Sequence, residues 1–251
     1  MNLGNFSRYI GELLRIPEFP DYPNAINGLQ LENNGQVTKI GAAVDVHMPV
    51  VRKAVAQGCD LLLVHHGLFW GGLEPLTGVR YEKFRLCQEH NLAIYSAHLP
   101  LDGHSELGNA IQLARALNLS ADWQPFYPFK GFPVGMRGEV DVSRDALVLA
   151  TANALQGPVH LCPGGPQAVR HLGIVTGGAG SEVPAMKALG IDTFITGEGP
   201  HWSYTLAEEL GVNVLYGGHY ATETFGVRAL AEHLAKKFRV PWQFIDHPTG
   251  L

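Results

Sequence analysis

The fold is decided by KIGAAVDVHMPVVRKAVAQGCDLLLVHHGLFW (residues 39–70), which aligns without a gap with HLGIVTGGAGSEVPAMKALGIDTFITGEGPHW (residues 171–202) at an offset of 132 positions. Seven of the 32 aligned pairs are identical, whereas ordinary composition would give about two. These pairs are Gly41 and Gly173, Val51 and Val183, Ala56 and Ala188, Gly58 and Gly190, Asp60 and Asp192, Gly67 and Gly199, and Trp70 and Trp202. Each copy reads as an apolar strand, a helix, a glycine at the helix end, a second strand and a polar turn. The pattern predicts an α/β protein built by internal duplication.

A second pair of segments aligns at a different offset. LAIYSAHLPLD (residues 92–102) matches NVLYGGHYATE (residues 213–223) at an offset of 121 positions, so His98 falls on His219 and Asp102 on Glu223. The change of offset predicts a longer loop in the first half, within residues 71–80. The alternative is that βαβ units resemble one another in any such fold, but the matches fall on polar residues that follow strands as well as on glycines, which favours duplication.

The alternation of apolar and amphipathic stretches predicts helices packed on mainly parallel or mixed sheets, the α/β class. Strands are predicted at residues 40–44, 61–64, 92–95, 172–175, 193–196 and 212–216, and helices at residues 49–57, 106–117, 182–189, 202–210 and 222–238. Residues 1–19 read as an amphipathic helix rather than a signal peptide. The duplication predicts two α/β domains, at residues 1–124 and 125–251.

Composition excludes several classes of protein. The chain has 251 residues, of which 46% are hydrophobic and 16% charged, and its net charge is -5, so nothing in its overall charge favours nucleic acid. The three cysteines Cys59, Cys87 and Cys162 form no CxxC pair, which argues against a disulfide framework or a zinc ribbon. No apolar run is long enough for a membrane span. We therefore expect a cytoplasmic protein.

Two adjacent histidines, His65 and His66, follow the predicted strand at residues 61–64. Imidazole suits zinc, iron, manganese or nickel. Adjacent strand residues point to opposite faces, so both rings can reach one site only where the strand ends and the backbone turns, which Gly67 permits. The alternative is two unrelated histidines, one solvated and one capping a loop.

His98 and Asp102 follow the next predicted strand. Pro100 prevents ordinary helix continuation, and a carboxylate four residues after a histidine can face the same cavity. Asp102 has two oxygens and could bridge two cations. The alternative is that Asp102 caps a helix that begins near residues 105–106.

His219 and Glu223 follow two glycines at the end of the last predicted strand. If the chain is helical from Tyr220, the two side chains lie on one face, four residues apart. Gly217 and Gly218 let a ligand or another backbone approach closely. The alternative is an ordinary capped helix with a surface glutamate.

Together these residues form a ligand set for two cations. Three histidines and two carboxylates, His65, His66, Asp102, His219 and Glu223, suffice for two metal ions with open water positions. Two metals about 3.5–4 Å apart can promote attack on a carbonyl, phosphoryl or ring carbon. We therefore expect two divalent ions per chain, of zinc, iron, manganese or nickel, and a hydrolase acting on a small molecule.

At these residues the chain resembles the YbgI or Nif-three-like family, whose members are often called GTP cyclohydrolase 1 type 2 homologs. The motifs that carry the resemblance are NAINGLQLEN, LLVHHGLFW, YSAHLPLDGHSELGNA, FITGEGPHW and YGGHYATETFG, and they span nearly the whole chain in the family's order. The resemblance implies two similar, intertwined three-layer α/β/α domains with mixed sheets. It also implies a dinuclear metal centre and a homo-oligomer, commonly a toroidal hexamer.

The family's ligands fall on the five residues named above. His98 then fits better as a support for a ligand or an occasional ligand, and Glu198 as a residue of the cleft. Both are our candidates for moving protons in catalysis. The family name suggests a metal-dependent hydrolase of a small molecule or nucleotide. The alternative is a non-enzymatic, metal-binding regulatory protein that acts on a protein partner; nucleic-acid binding is a weaker third reading, opposed by the acidic balance.

Overall fold

The computed structural model describes residues 1–251, which form nine α-helices and eleven β-strands. In chain order these are α1 (Leu3–Leu13), β1 (Gly28–Leu31), β2 (Ile40–Asp45), α2 (Met48–Ala56), β3 (Leu61–His66), α3 (Gly78–Glu89), β4 (Ala93–Ser96), α4 (Leu99–Asp102), α5 (Asn109–Ala116), β5 (Gln124–Phe129), β6 (Phe132–Ser143), α6 (Arg144–Leu155), β7 (His160–Pro163), β8 (Ala168–Ile174), α7 (Val183–Ala188), β9 (Thr193–Thr196), α8 (His201–Leu210), β10 (Asn213–Tyr216), α9 (His219–Phe238) and β11 (Trp242–Phe244). A short 3₁₀ helix, Ala179–Glu182, precedes α7. None of the helices combines the length and the apolarity that a membrane span requires.

The chain divides into two compact units. Unit 1 comprises Met1–His104 and Gly226–His247, and unit 2 comprises Ser105–Phe225 and Pro248–Leu251. The division falls within α9, so the chain enters unit 1 twice. The boundary expected between residues 124 and 125 lies inside unit 2, at the start of β5. The prediction that the duplicated halves meet between residues 124 and 125 stays a prediction.

Unit 1 contains a five-stranded sheet in the order β1-β4-β3-β2-β11. The last four strands are parallel to their neighbours, and β1 pairs with β4 in the antiparallel sense. The first four residues of β3, Leu-Leu-Leu-Val, have no solvent exposure. A strand buried on both faces is apolar without alternation, which is why this run could be recognised in the sequence.

Unit 2 contains a six-stranded sheet in the order β5-β6-β8-β9-β10-β7. Strands β8, β9 and β10 are parallel, whereas β5, β6 and β7 join them by antiparallel pairing. A core of buried aliphatic side chains from α5, α6 and the central strands covers this sheet. The predicted α/β class with mixed sheets is confirmed.

Two aspartates that the sequence alignment pairs, Asp60 and Asp192, make equivalent hydrogen bonds. Asp60 accepts from the backbone N–H groups of residues 38–39. Asp192 accepts from those of residues 170–171. The residue numbers of the donors in the second pair exceed those in the first by 132, which is the offset of the sequence alignment. The carboxylate therefore stabilises the start of the neighbouring strand in each half, which accounts for the identity of this pair.

The helix ends also repeat. Gly58 after α2 and Gly190 after α7 have φ angles of +70° and +81°, a region that glycine adopts without steric cost. The pairing of β8 with β9 equals that of β2 with β3 once the offset of the alignment is added to each residue number. Both observations support the duplication, which stays a prediction.

The strand pairing agrees less closely with the second sequence alignment, which has an offset of 121 positions. Leu61 lies opposite Ala93, and its counterpart Thr193 lies opposite Asn213. The counterpart of Ala93 in the sheet is thus Asn213, one residue before the position that the sequence alignment assigns. The longer loop of the first half precedes a helix: residues 67–77 connect β3 to α3, whereas residues 197–200 connect β9 to α8.

Several elements were not predicted. They are α3, α4, α6, the β5–β6 hairpin, β7 and the short edge strands β1 and β11. Helix α4 accommodates Pro100 because the proline lies in its first turn. Of α3 only Cys87 is buried, so the helix has almost no apolar face to reveal it. The start expected near residue 106 for α5 was also wrong, since residues 105–108 form a turn and the helix begins at Asn109.

Replacement of Leu215 by alanine is expected to lower the free energy of unfolding by about 2–5 kcal/mol, because the side chain is fully buried in the core of unit 2. Leu149→Ala is the matched control, since Leu149 on α6 is 62% exposed and its loss should cost less than about 0.5 kcal/mol. Urea unfolding of the metal-free protein, followed by circular dichroism, measures both. Equal losses would contradict the assignment of this core.

Candidate metal centre

The carboxyl ends of three parallel strands in unit 1 carry the candidate ligands and their supports. Asp45 is the last residue of β2, His65 and His66 are the last two of β3, and His98 follows β4 by two residues. Because neighbouring parallel strands end at the same edge of a sheet, these side chains are brought together there. Such edges are where α/β proteins bind ligands.

The buried ring of His65 has a defined tautomer. Its Nδ1 lies 2.9 Å from the carbonyl oxygen of Ala97. A carbonyl can only accept, so Nδ1 carries the proton and donates it. In the neutral ring the lone pair then lies on Nε2. This is the arrangement that a metal-binding histidine requires.

His66 and His98 are fixed in the same way, but by carboxylates. Nδ1 of His66 lies 2.9 Å from Oδ1 of Asp45, and Nδ1 of His98 lies 2.9 Å from Oδ1 of Asp21. Asn27 accepts a further bond from the backbone N–H of His98. An ionised carboxylate has no proton to give, so both imidazoles donate through Nδ1 and present the lone pair of Nε2.

Burial and charge together set the protonation states of Asp21 and His98. Burial raises the pKa of the Asp21 carboxyl, but the hydrogen bonds and charge of His98, with the hydrogen bond of Asn27, outweigh it and leave the pKa below its ordinary value. Burial lowers the pKa of His98 despite the neighbouring Asp21. Asp21 is therefore ionised and His98 neutral near neutral pH, as a nitrogen ligand must be.

The three rings form one group. Their ring centroids are separated by 4.9 Å for His65 and His66, 4.8 Å for His65 and His98, and 5.6 Å for His66 and His98. One ligand nitrogen from each lies within 4.8 Å of the others. Adjacent side chains within a strand point to opposite faces of the sheet, but the strand ends at His66. The rings of His65 and His66 therefore lie close together. His98 lies as near to them as they lie to each other.

Asp102 lies beside this group. Its Oδ2 is 3.5 Å from Nε2 of His65, and the side chain is almost fully buried. Ligand atoms on one tetrahedral zinc ion lie about 3.3 Å apart, so this spacing suits two ligands of one cation better than a hydrogen bond. The alternative reading of Asp102 as a helix cap was wrong, because the N-cap of α5 is Gly108 and no side chain caps it.

In unit 2, His219 is held between two carboxylates. It is the first residue of α9, and Glu223 follows one turn later on the same face. Nδ1 of His219 lies 2.8 Å from Oε1 of Glu198, and its Nε2 lies 3.2 Å from Oε1 of Glu223. Burial lowers the pKa of His219, but the hydrogen bonds and charges of Glu223 and Glu198 raise it to about 9. Without a metal, both ring nitrogens therefore carry protons at neutral pH.

Gly177 is packed against these two ligands. A Cβ atom there would lie 2.2 Å from Oε1 of Glu223 and 3.3 Å from Nε2 of His219. The φ angle of +68° independently favours glycine. The carbonyl oxygen of Gly177 accepts from the backbone N–H of Glu198, so the turn also places the carboxylate that orients His219.

Aromatic side chains border the histidines of unit 1. The ring of Trp70 meets that of His98 edge-on at 4.7 Å and that of His66 at 5.6 Å. Tyr22, which is half exposed, lies 6.1 Å from His98. Trp70 therefore forms part of the wall beside these ligands. Trp202, its counterpart in the repeat, is half exposed.

Sequence reasoning identified the ligand candidates and Glu198, but not the other groups that orient the ligands. Unit 1 brings together His65, His66, His98 and Asp102, and unit 2 brings together His219, Glu223 and Glu198. Asp21, Asp45 and Gly177 were missed. The only signal for Asp45 was its place at the end of a strand, and Asp21 lies 77 residues from its partner His98, where no local pattern reveals the contact.

Comparisons with known proteins agree over the full length of the chain. The model of the family Duf34/NIF3 (NGG1p interacting factor 3) matches residues 1–249. Proteins named GTP cyclohydrolase 1 type 2 homolog are similar in sequence: that of Deinococcus radiodurans is 41% identical over 97% of this chain and 92% of its own, and that of Halobacterium salinarum is 41% identical over 98% and 97%.

Solved structures are similar as well. TTHA1606 from Thermus thermophilus superposes with a TM-score of 0.93 at 38% identity, and both chains are covered completely. Protein ybgI superposes with a TM-score of 0.91 at 32% identity, again over both whole chains. Reduced HcgD from Methanocaldococcus jannaschii has a TM-score of 0.86 at 26% identity and covers 98% of each chain.

Asp45→Ala is expected to weaken metal binding by roughly 10–100-fold, because His66 loses the acceptor that fixes its tautomer and orientation. Asp141→Ala is the control, since that carboxylate is 84% exposed in its side chain and pairs only with Arg170. Competition against a chromogenic chelator measures both affinities. Equal affinities for the two variants would contradict the orienting role.

Metal binding is expected to release about one proton from His219 near neutral pH, because the ion replaces the proton on Nε2. The pKa of His219 is raised from 6.5 to about 9 in the folded, metal-free protein, so this release should disappear above that pH. By the same linkage, the stabilisation of metal-free protein by this ion pair is fully present below about pH 6.5 and is lost as the pH rises through about 9.

Calorimetric titrations in two buffers of different ionisation enthalpy count the protons released. Glu198→Gln is the matched variant, since it keeps an acceptor for Nδ1 but removes one of the charges that raise the pKa of His219. Its proton release at neutral pH should be smaller. The same release from both proteins would show that the pair does not hold the proton.

Proposed function

Because the chain belongs to the Duf34/NIF3 family, we propose that it binds two divalent metal ions through His65, His66, Asp102, His219 and Glu223. The observation that carries the proposal is the fixed tautomer of the histidines. In unit 1 every imidazole of the group donates Nδ1–H to a carbonyl or carboxylate and directs Nε2 toward its neighbours. In unit 2, Oε1 of Glu223 lies 3.2 Å from Nε2 of His219, a distance that suits two ligands of one ion.

The donor set indicates the kind of metal. It consists of imidazole and carboxylate, without thiolate, which suits zinc, iron, manganese or nickel. Asp102 has a second oxygen with which to bridge two ions. His98 lies within ligand distance of His65 and His66 and would bind an ion only where its Nε2 is not used for proton transfer. Glu198 keeps His219 in its orientation.

The function that this centre supports best is metal-dependent hydrolysis of a small molecule or nucleotide. Two bound ions would supply Lewis acidity and lower the pKa of water. The chain itself offers two groups for proton transfer. His98 is neutral at neutral pH because burial lowers its pKa, and the carboxylate of Glu198 is half exposed beside His219. The relatives are named for GTP cyclohydrolase, which favours a heterocyclic nucleotide as the first substrate to test.

A second candidate function is non-enzymatic. The family is described as an interacting factor, so the metal centre would then stabilise or regulate a surface that binds another protein. We further propose a homo-oligomer, commonly a toroidal hexamer in this family, in the cytoplasm, as the resemblance implies.

Purified without chelator or affinity metal, the protein is expected to contain two transition-metal ions per chain. Glu223→Ala should lose at least one, because it removes a ligand that is almost fully buried next to His219. Glu232→Ala on the same helix is the control, since that residue is exposed and pairs with Lys236. Elemental mass spectrometry counts the ions. A titration that saturates at one ion per chain would contradict the dinuclear centre.

The same preparations decide between the two functions. With two metals bound, turnover of a nucleotide, phosphoester or cyclic amide that Glu223→Ala abolishes and Glu232→Ala retains would support the hydrolase. If no divalent metal yields turnover of any of these classes, the enzymatic proposal fails. Capture of a protein partner that depends on the metal would then favour the alternative.

A further inference from the structure

Four basic side chains gather in unit 1, next to the support of His66. They are His47, Lys53, Lys83 and His247, and we call them the cationic cluster. The rings of His47 and His247 meet edge-on with their centroids 4.6 Å apart. Nζ of Lys53 lies 3.1 Å from Nδ1 of His247. Lys53 and Lys83 both act electrostatically on His47 and lower its pKa, after burial as the main cause.

Neither of the two lysines has a carboxylate partner, and both donate to backbone carbonyls instead. Lys53 donates to the carbonyl oxygen of Asp246, and Lys83 donates to that of Val46. The arginines of unit 1 that form ion pairs do so with glutamates at close range, as Arg80 does with Glu74 and Arg85 with Glu82. A lysine has three donors, so each ammonium keeps further N–H groups for a ligand.

Lys83 is the more informative of the two. It is only partly exposed, and burial lowers its pKa more than the charge of Glu74 raises it. The fold thus retains an ammonium where a charge is costly and no carboxylate is in contact with it. The absence of a paired carboxylate indicates that an anion from outside the chain would complete its surroundings.

The position of the cluster connects it with the metal ligands. Lys83 binds the carbonyl of Val46, which lies between Asp45 and His47 in the chain. Asp45 is the one carboxylate among the groups that act on His47, and its side chain accepts from His66. His47 is also the N-cap of α2, with no side-chain cap bond, so the N–H groups of the first turn add positive potential at the same place.

We propose that the cationic cluster binds a phosphate group of the substrate, so that the ligand is a small phosphorylated molecule whose reacting part extends toward His66. Phosphate is compact and carries several acceptor oxygens, which suits lysine ammonium groups and imidazoles acting together. The assignment of this group to the substrate rests on the proposed hydrolase function. Phosphate binding by the cluster does not, because none of its four residues is a proposed metal ligand.

The test is binding of inorganic phosphate, measured by ³¹P NMR titration of the metal-loaded protein and of metal-depleted Glu223→Ala. Both should bind phosphate. Lys53→Met and Lys83→Met should each weaken binding by roughly tenfold in either background, since a hydrogen bond from a charged donor is lost. Arg52→Met is the matched control: it removes the neighbouring exposed charge on α2, which solvent and salt screen, and should change the affinity by less than about twofold.

The outcomes separate the two proposals. Binding that disappears in Glu223→Ala but persists in both lysine variants would place phosphate on the metals, overturning the cluster and leaving the metal centre intact. Equal weakening by Arg52→Met would show that overall charge alone attracts phosphate, which also overturns it. Failure of the hydrolase screen with phosphate still bound through the lysines would overturn only the link to a substrate.

Thermal melting checks that each variant remains folded. If Lys83→Met unfolds, Lys83→Gln takes its place. This variant also removes the positive charge, but its side-chain amide can still donate to the carbonyl of Val46. Preferential binding of an oligonucleotide over phosphate, at equal ionic strength and with the same dependence on Lys53 and Lys83, would replace the small-molecule ligand with a nucleic acid and overturn the proposal.

Discussion

The hydrogen bond at Nδ1 of each histidine is the constraint on which the candidate metal centre depends. An imidazole can bind a metal through either nitrogen, and only a fixed acceptor on the other one selects between them. Here a carbonyl, two aspartates and a glutamate act as those acceptors for His65, His66, His98 and His219. The strands bring the rings near one another, but these acceptors decide which atoms the rings direct inward.

The sequence revealed the ligands far better than their supports. Every candidate ligand lies at the end of an apolar strand or shortly after it. That position is visible in the sequence because strands buried on both faces are continuous apolar runs. The acceptors have no such mark. Asp21 reaches His98 across 77 residues, and the partner of His65 is a backbone carbonyl that any residue could supply. Contacts of this kind follow from tertiary packing, and a single sequence does not encode them locally.

The same distinction applies to the fold. The parallel strands and the helices between them could be predicted because the two aligned segments show the same pattern of buried residues. Asp60 and Asp192, which are paired in that alignment, also make equivalent hydrogen bonds. The antiparallel additions of unit 2 could not. Strands β5 and β7 lie at the edges of the sheet, where one face and one side remain near solvent, so their side chains show no continuous apolar run.

Electrostatics differs between the two ligand sets, and the difference has a chemical consequence. Unit 1 contributes His98, whose pKa is lowered by burial, next to His65, His66 and the carboxylate of Asp102. Unit 2 contributes His219, which two carboxylates hold protonated until a metal displaces the proton. In the proposed centre, two divalent ions would be bound by two ligand carboxylates, Asp102 and Glu223. The carboxylates of Asp21, Asp45 and Glu198 accept from the histidines, so they would offset the positive charge that remains on the ions. The positive charge that would draw a phosphorylated ligand therefore comes from Lys53 and Lys83 of the cationic cluster, which donate to backbone carbonyls and have no carboxylate in contact.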